Sequence, residues 1–201
     1  MDAQYYLDLF RKVKIASAAT VDEQGRPQSR IINVMIAAEE GLYLVTSRGK
    51  PFHRQLTASG EIALSASVPK NRSLKLCGKV RQVGRAWVDR VFEENPGMNE
   101  VYPGESRCAL DAFLICEGYG EWFDLSRYPI RRERFAFGGA QPEHSGFEIL
   151  ESCTGCGACA AACPQRCIDP GAPYRIRREN CLLCGLCAET CPSGAVRRLH
   201  P

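Results

Sequence analysis

CTGCGACAAACP at residues 153–164 returns 28 residues later as CLLCGLCAETCP at residues 181–192. Each copy spaces four cysteines by two, two and three residues and follows the last with proline: Cys153, Cys156, Cys159, Cys163 and Pro164, then Cys181, Cys184, Cys187, Cys191 and Pro192. A fixed period of this kind marks duplication of one supersecondary unit, here two half-modules related by a pseudo-twofold. Nine of the twelve cysteines lie between Cys153 and Cys191, so composition divides the chain near residue 150. The N-terminal stretch MDAQYYLDLFRKVK has neither the apolar core nor the cleavage site of a signal peptide. A cytoplasmic protein is therefore expected, and clustered cytosolic thiols point to metal binding rather than to a disulfide framework.

The spacing has a chemical reason. Three thiolates separated by two residues each can wrap a tight loop around one face of a cubane and turn backbone N–H groups toward its sulfurs, while the fourth ligand comes from elsewhere. The proline then directs the chain away by fixing φ and removing an N–H. Structural zinc also uses CxxC pairs, but not this proline-terminated run twice at a fixed period. Residues 151–198 resemble the bacterial two-cluster ferredoxins, in which the fourth cysteine of each run ligates the other cluster. That resemblance implies one 4Fe-4S cluster on Cys153, Cys156, Cys159 and Cys191, and a second on Cys181, Cys184, Cys187 and Cys163. Cys167 stands where the second copy has Ala195, and is expected to be a small buried side chain. Residues 151–201 carry six Arg, Arg175, Arg177, Arg178 and Arg197 among them, against four acidic residues; these would offset the negative charge of bound clusters.

Upstream, regular alternation suggests short strands at 13–21, 28–36, 42–46, 61–68, 73–83, 109–116 and 120–125, after a short amphipathic start. The stretch DEQGRP at 22–27 reads as a turn, and helices are expected at 51–59 and 85–95. Evenly spaced strands argue for a barrel, and the lack of GxGxxG after a strand disfavours a dinucleotide fold. In TSRGKP, residues 46–51, a strand meets hydroxyl and basic groups and then Pro51 at the start of a helix, an arrangement able to bind an anion. The fold class expected is α+β and mainly β, with a barrel domain over 1–145 and a two-cluster ferredoxin domain over 146–201.

Three further stretches carry a second resemblance: SRIINV at 29–34, LYLVTSRGKP at 42–51 and NRSLKLCGKVRQV at 71–83. Together they resemble the split-barrel, FMN-binding fold of the pyridoxamine 5'-phosphate oxidase family. VFEENPGMNEVYP at 91–103 and LDAFLICEGYGEWFDLS at 110–126 are similar to a subgroup of that family from anaerobes. The resemblance implies FMN at a homodimer interface. It places Arg30, Ile31, Ile32 and Asn33 along the isoalloxazine, Val45, Thr46, Ser47, Arg48 and Lys50 around the phosphate, and Ser73 at another polar contact. The family's C-terminal substrate segment is missing, because the cysteine module occupies that end, so pyridoxamine phosphate is not the expected substrate.

These features together predict an oxidoreductase passing electrons between two clusters and FMN, with a redox protein or small molecule as donor and acceptor. The alternative is a flavin and iron-sulfur carrier or sensor without enzymatic turnover; haem or a deazaflavin in the barrel is a third possibility. The formal charge of +3 gives no basis for nucleic-acid binding, and no apolar stretch reaches the roughly 18 residues of a membrane span. No catalytic residue is assigned. His53, His144 and His200 are read as isolated, without carboxylate partners. Cys77, Cys108 and Cys116 are read as small buried side chains, Trp122, Phe123, Phe135 and Phe137 as core or interface, and Arg131, Arg132 and Arg134 as a solvated face.

Overall fold

Tyr6, Leu7 and Phe10 recur on one side of the first helix, α1 (Ala3–Val13), and that side is buried. The computed structural model describes residues 2–142 and 145–199. Strands β1 (Ile15–Val21) and β2 (Pro27–Asn33) follow, joined by a turn in which Asp22 Oδ1 accepts from the N–H groups of Gln24 and Arg26. After β3 (Ile36–Ala38) and β4 (Gly41–Ser47), helix α2 (Pro51–Ser59) opens on proline in its first turn. It ends at Gly60, whose left-handed φ of 66° returns its N–H to Leu56 O. Strands β5 (Glu61–Val68) and β6 (Arg72–Val83) precede helices α3 (Ala86–Glu94) and α4 (Met98–Val101), then β7 (Leu110–Asp124) and β8 (Arg131–Phe137). The C-terminal segment contains β9 (Gly146–Ile149), α5 (Ala158–Ala162), β10 (Ile168–Asp169), β11 (Arg175–Ile176), α6 (Leu186–Glu189) and β12 (Val196–Leu199).

The large sheet runs β2-β1-β5-β6-β7-β4-β3, with β8 paired to β7. The fold is α+β and mainly β, as expected. Burial alternates along β1, where Ala16, Ala18 and Thr20 face inward, and along β5, where Ile62, Leu64, Ala66 and Val68 do. A second apolar cluster joins α3 to β3, β4 and β7 through Val88, Val91, Phe92, Ile36, Tyr43 and Leu114. Gly41, at φ 137°, lets β4 approach β7: a Cβ there would lie 1.9 Å from Ile115 O.

The chain forms two compact units. The first comprises Met1–Val68, Ser73–Glu121 and Phe135–Pro142; the second comprises Pro69–Arg72, Trp122–Arg134 and Glu143–Pro201. The tip of the β7–β8 hairpin therefore groups with the cysteine-rich residues. Within the second unit β9 pairs with β12 and β10 with β11.

Several elements differ from the sequence expectation. Residues 3–13 form a full helix, so the first strand begins at Ile15 rather than at residue 13. Segments 109–116 and 120–125 are one strand, because Gly118 and Gly120 sit beneath neighbouring backbone and Phe135 instead of ending it. Strand β8 and helix α4 had no sequence signal, being short or rich in charge. Among the described residues no helix is long and apolar enough to cross a membrane.

Candidate cofactor sites

The pairing of β1 with β2 sets Arg30 opposite Ala18. Arg30 Nη1 donates to Thr20 Oγ1 at 2.6 Å and to Ala18 O at 3.3 Å, and Nη2 donates to Gln55 Oε1 at 2.7 Å. Its guanidinium lies 4.6 Å from the centre of the Phe52 ring. Burial pulls its pKa below the usual arginine range, and among the described residues no carboxylate forms an ion pair with it. A half-buried cation held only by neutral groups favours an anionic ligand.

The pairing of β4 with β7 sets Thr46 opposite Asp111 and Ser47 opposite Leu110. Thr46 is 3 % exposed, and its Oγ1 is buried with no hydrogen-bond partner. Ser47 Oγ shares a 2.8 Å hydrogen bond with the Tyr102 hydroxyl, and Arg48 Nη1 pairs with Asp111 at 3.2 Å. The Lys50 N–H closes the turn onto Ser47 O at 3.1 Å, immediately before α2. An open cleft of about 550 Å³ is lined by Arg30, Ile31, Ile32, Asn33, Val45, Thr46 and Lys50, with Phe52, Gln55, Met98 and Tyr102 beside them. Seven of the ten residues expected at FMN thus share one cleft. Ser47, Arg48 and Ser73 are not among its lining residues. A cation without an acidic partner on a concave surface, with Thr46 and its unpartnered buried hydroxyl among the lining residues, fits a polar, anionic ligand.

In the cysteine module the duplication extends to the backbone. Gly155 and Leu183, each two residues after the first cysteine of its run, have φ of 72° and 60°. Gly157 and Gly185, each following the second cysteine, have φ of 76° and 84°. Left-handed backbone is uncommon for leucine, so the matching angle at Leu183 marks a demand of the loop rather than of the side chain. Amide donors meet sulfur: Leu183 N–H lies 3.4 Å from Cys181 Sγ, and Ala195 N–H 3.3 Å from Cys191 Sγ. Cys163, from the first run, lines one cavity with Cys181, Cys184 and Cys187 from the second. Around Cys159, burial raises the thiol pKa, and the nearby charges of Cys153 and Cys191 push it the same way. Burial likewise pushes Cys187 up to about 11. Such thiols need a compensating cation to ionise.

Cys167 is buried at 1 % exposure, its Sγ 3.5 Å from Cys163 Sγ. Its interaction with the neighbouring Cys181 raises the Cys167 pKa and lowers that of Cys181, the direction expected when Cys167 keeps its proton.

Three sequence expectations require correction. His53 is not isolated: its Nε2 lies 2.8 Å from Asp111 Oδ2, across 58 residues of sequence that no local spacing could bridge. His144 and His200 lie outside the described residues. The arginines at 131–134 are not a solvated face. Arg131 pairs with Glu133, Arg132 Nε donates to Cys181 O at 3.3 Å while lying 4.6 Å from the Phe123 ring centre, and Arg134 Nη2 donates to Ser145 O at 2.6 Å. Finally, Cys108 is exposed and Cys77 and Cys116 are half-buried, so none of the three is a fully buried side chain.

Comparison with known proteins follows the same division. Residues 152–195 match the family model of the 4Fe-4S dicluster domain. No curated protein shows significant similarity to the chain. Among solved structures, a NimC/NimA family protein from Clostridium acetobutylicum superposes with a TM-score of 0.59 at 18% identity, covering 67% of this chain and 91% of its own. A protein from the same organism related to general stress protein 26, of the pyridoxinephosphate oxidase family, gives 0.52 at 18% identity over 66% and 94%. PhzG from Burkholderia lata, in complex with tetrahydrophenazine-1-carboxylic acid, gives 0.53 at 15% over 66% and 81%. At these identities the likeness is one of fold. The chain thus couples a split barrel of the pyridoxamine phosphate oxidase-like fold to a 4Fe-4S dicluster domain.

Proposed function

We propose that this is a flavin and iron-sulfur oxidoreductase, in which two 4Fe-4S clusters exchange electrons with FMN and a small molecule or redox protein is served at the flavin. The observation that carries it is the duplicated cysteine run, folded so that Cys163 of the first copy shares a cavity with Cys181, Cys184 and Cys187 of the second. Cys153, Cys156, Cys159 and Cys191 would hold the other cluster. When bound, FMN supplies two-electron chemistry divisible into single steps, matching cubanes that carry one electron each.

The residues of the barrel support FMN through charge and hydrogen bonding. Arg30 and Lys50 supply positive charge without an acid in the cleft lining, Thr46 offers an unused buried hydroxyl, and the first turn of α2 lies beside them. Ile31 and Val101 also line the cleft and are 68% and 67% exposed, apolar surface suited to a flavin ring or to the second copy of a homodimer.

Anaerobic purification with iron, sulfide and flavin quantified per chain tests this. About eight irons, eight sulfides and one FMN are expected from two 4Fe-4S centres and one flavin site. Stoichiometric zinc, or a sharp Soret band in place of flavin absorption, would refute it.

A further inference from the structure

The two cysteine sets are near-duplicates in sequence, yet their surroundings differ. The tip of the β7–β8 hairpin lies against the two chain segments that lead out of Cys163 and into Cys181. Tyr128 OH donates to Pro164 O at 3.2 Å, and Gln165 Oε1 accepts from the Ile130 N–H at 2.8 Å. On the other segment, Asn180 Nδ2 donates to Ile130 O at 2.8 Å and Arg132 Nε donates to Cys181 O at 3.3 Å. Arg132 is braced by the face of Phe123. These contacts bring a guanidinium, from outside the ferredoxin-like segment, to the backbone of a cysteine in the set Cys163, Cys181, Cys184 and Cys187.

The second difference is Cys167. Its buried thiol is 3.5 Å from Cys163 Sγ, whereas the equivalent position of the other copy is Ala195, which has no side-chain donor. In the other set the side-chain donor near ligand sulfur is the exposed Ser193 hydroxyl, 3.5 Å from Cys191 Sγ, so the sets differ in kind: a buried thiol in one, a hydroxyl open to water in the other.

We propose that Arg132 and Cys167 act as positioning residues that make the site on Cys163, Cys181, Cys184 and Cys187 the easier of the two to reduce, giving the pair a built-in direction for electrons. The inference rests on the two-cluster assignment above. Reduction adds one electron and makes or breaks no bond. The added negative charge is stabilised by a nearby cation and by hydrogen bonds to the thiolates, two of the principal means by which proteins set cluster potentials. Partial exposure of the arginine screens its charge, and a change of about tenfold in the reduced-to-oxidised ratio is expected on removing it.

The experiment is an EPR-monitored redox titration of the full chain, purified anaerobically and poised with dithionite or a europium(II) chelate. Two one-electron waves are expected in the wild type. Arg132→Gln should lower the upper wave by about tenfold in ratio, about 59 mV for a one-electron couple, and leave the lower wave in place. Arg132→Lys, which keeps the charge, should largely restore it. Cys167→Ala, a residue already accepted at position 195, should lower the same wave, and Cys167→Ser, which keeps a donor, should not. Movement of the lower wave, of both equally, or of neither overturns the proposal, and Cys167→Ala decides it should Arg132→Gln fail to fold. Wild-type protein with fewer than two cubanes by iron and sulfide would instead sink the assignment on which it rests.

Discussion

Thr46→Val separates a residue kept for a ligand from one kept for the fold. Valine has the shape of threonine without its hydroxyl, and both suit a strand. Thr46 Oγ1 is buried without a partner, so the ligand-free barrel bears the desolvation of a hydroxyl and recovers nothing from it. Mutational data place that penalty at about 1–3 kcal/mol. Removing the hydroxyl should therefore stabilise the flavin-free protein by about 1 kcal/mol, a rise in melting temperature of about 2–4 °C for a chain of this size. Once the cleft is filled the sign reverses. A lost hydrogen bond of about 1–1.5 kcal/mol weakens FMN binding by about five- to tenfold. Thermal melts of flavin-free protein and FMN fluorescence titrations on the same preparations measure both numbers. A variant that melts lower without flavin would show that the hydroxyl has a structural partner, and unchanged FMN affinity would remove Thr46 from the site.

Arg30→Met should leave the flavin-free fold within about 1 kcal/mol of wild type, because Thr20 Oγ1 still donates to Gln55 Oε1 and the methionine chain can cover Phe52. FMN affinity should nevertheless drop by about tenfold or more with the loss of a charge-assisted contact, as read by equilibrium dialysis. Gly41→Ala should cost about 3 kcal/mol or more, since both its φ of 137° and its approach to Ile115 O exclude a Cβ; denaturant unfolding followed by tryptophan fluorescence would show it. Stripping iron with a chelator under oxidising conditions should unfold residues 146–199, whose own apolar cluster is built largely from cysteine and a few aliphatic residues. Hydrogen exchange should then show protection lost there while β1, β5 and β7 stay protected.

The parts of the molecule that were legible in the sequence are those encoded over short range. The cysteine runs impose loop geometry within twelve residues, and helix α2 carries both of its boundaries locally, proline at the start and glycine after the end. The strand residues 30–33 lined one cleft as a contiguous group, and Thr46 and Lys50, the two ends of the adjoining turn, joined them there. What was not legible depends on contacts across long sequence separations. The His53–Asp111 pair joins a helix to a strand that the chain reaches only after α3 and α4. The burial of Thr46 without a partner is a property of packing, and a TSRGKP turn on the surface would look the same in sequence. Strand β8 was hidden because RRERFAF alternates charge with charge, and its arginines find partners only once folded.

The hairpin tip shows why motif and module are not the same thing. The family match ends at residues 152 and 195, and a sequence argument naturally places a domain boundary just upstream. Yet residues 122–134 belong with the cysteine module in the folded chain, held by four hydrogen bonds to residues 164, 165, 180 and 181. Those positions flank Cys163 and Cys181, the two cysteines that enter the second site from opposite directions. A duplicated half-module on its own offers two equivalent sites, and equivalent sites give an electron no preferred place to stop. By lending Arg132 to one of them, and with Cys167 standing where the other copy has Ala195, the chain breaks that equivalence with side chains that neither the spacing of the ligands nor the duplication requires.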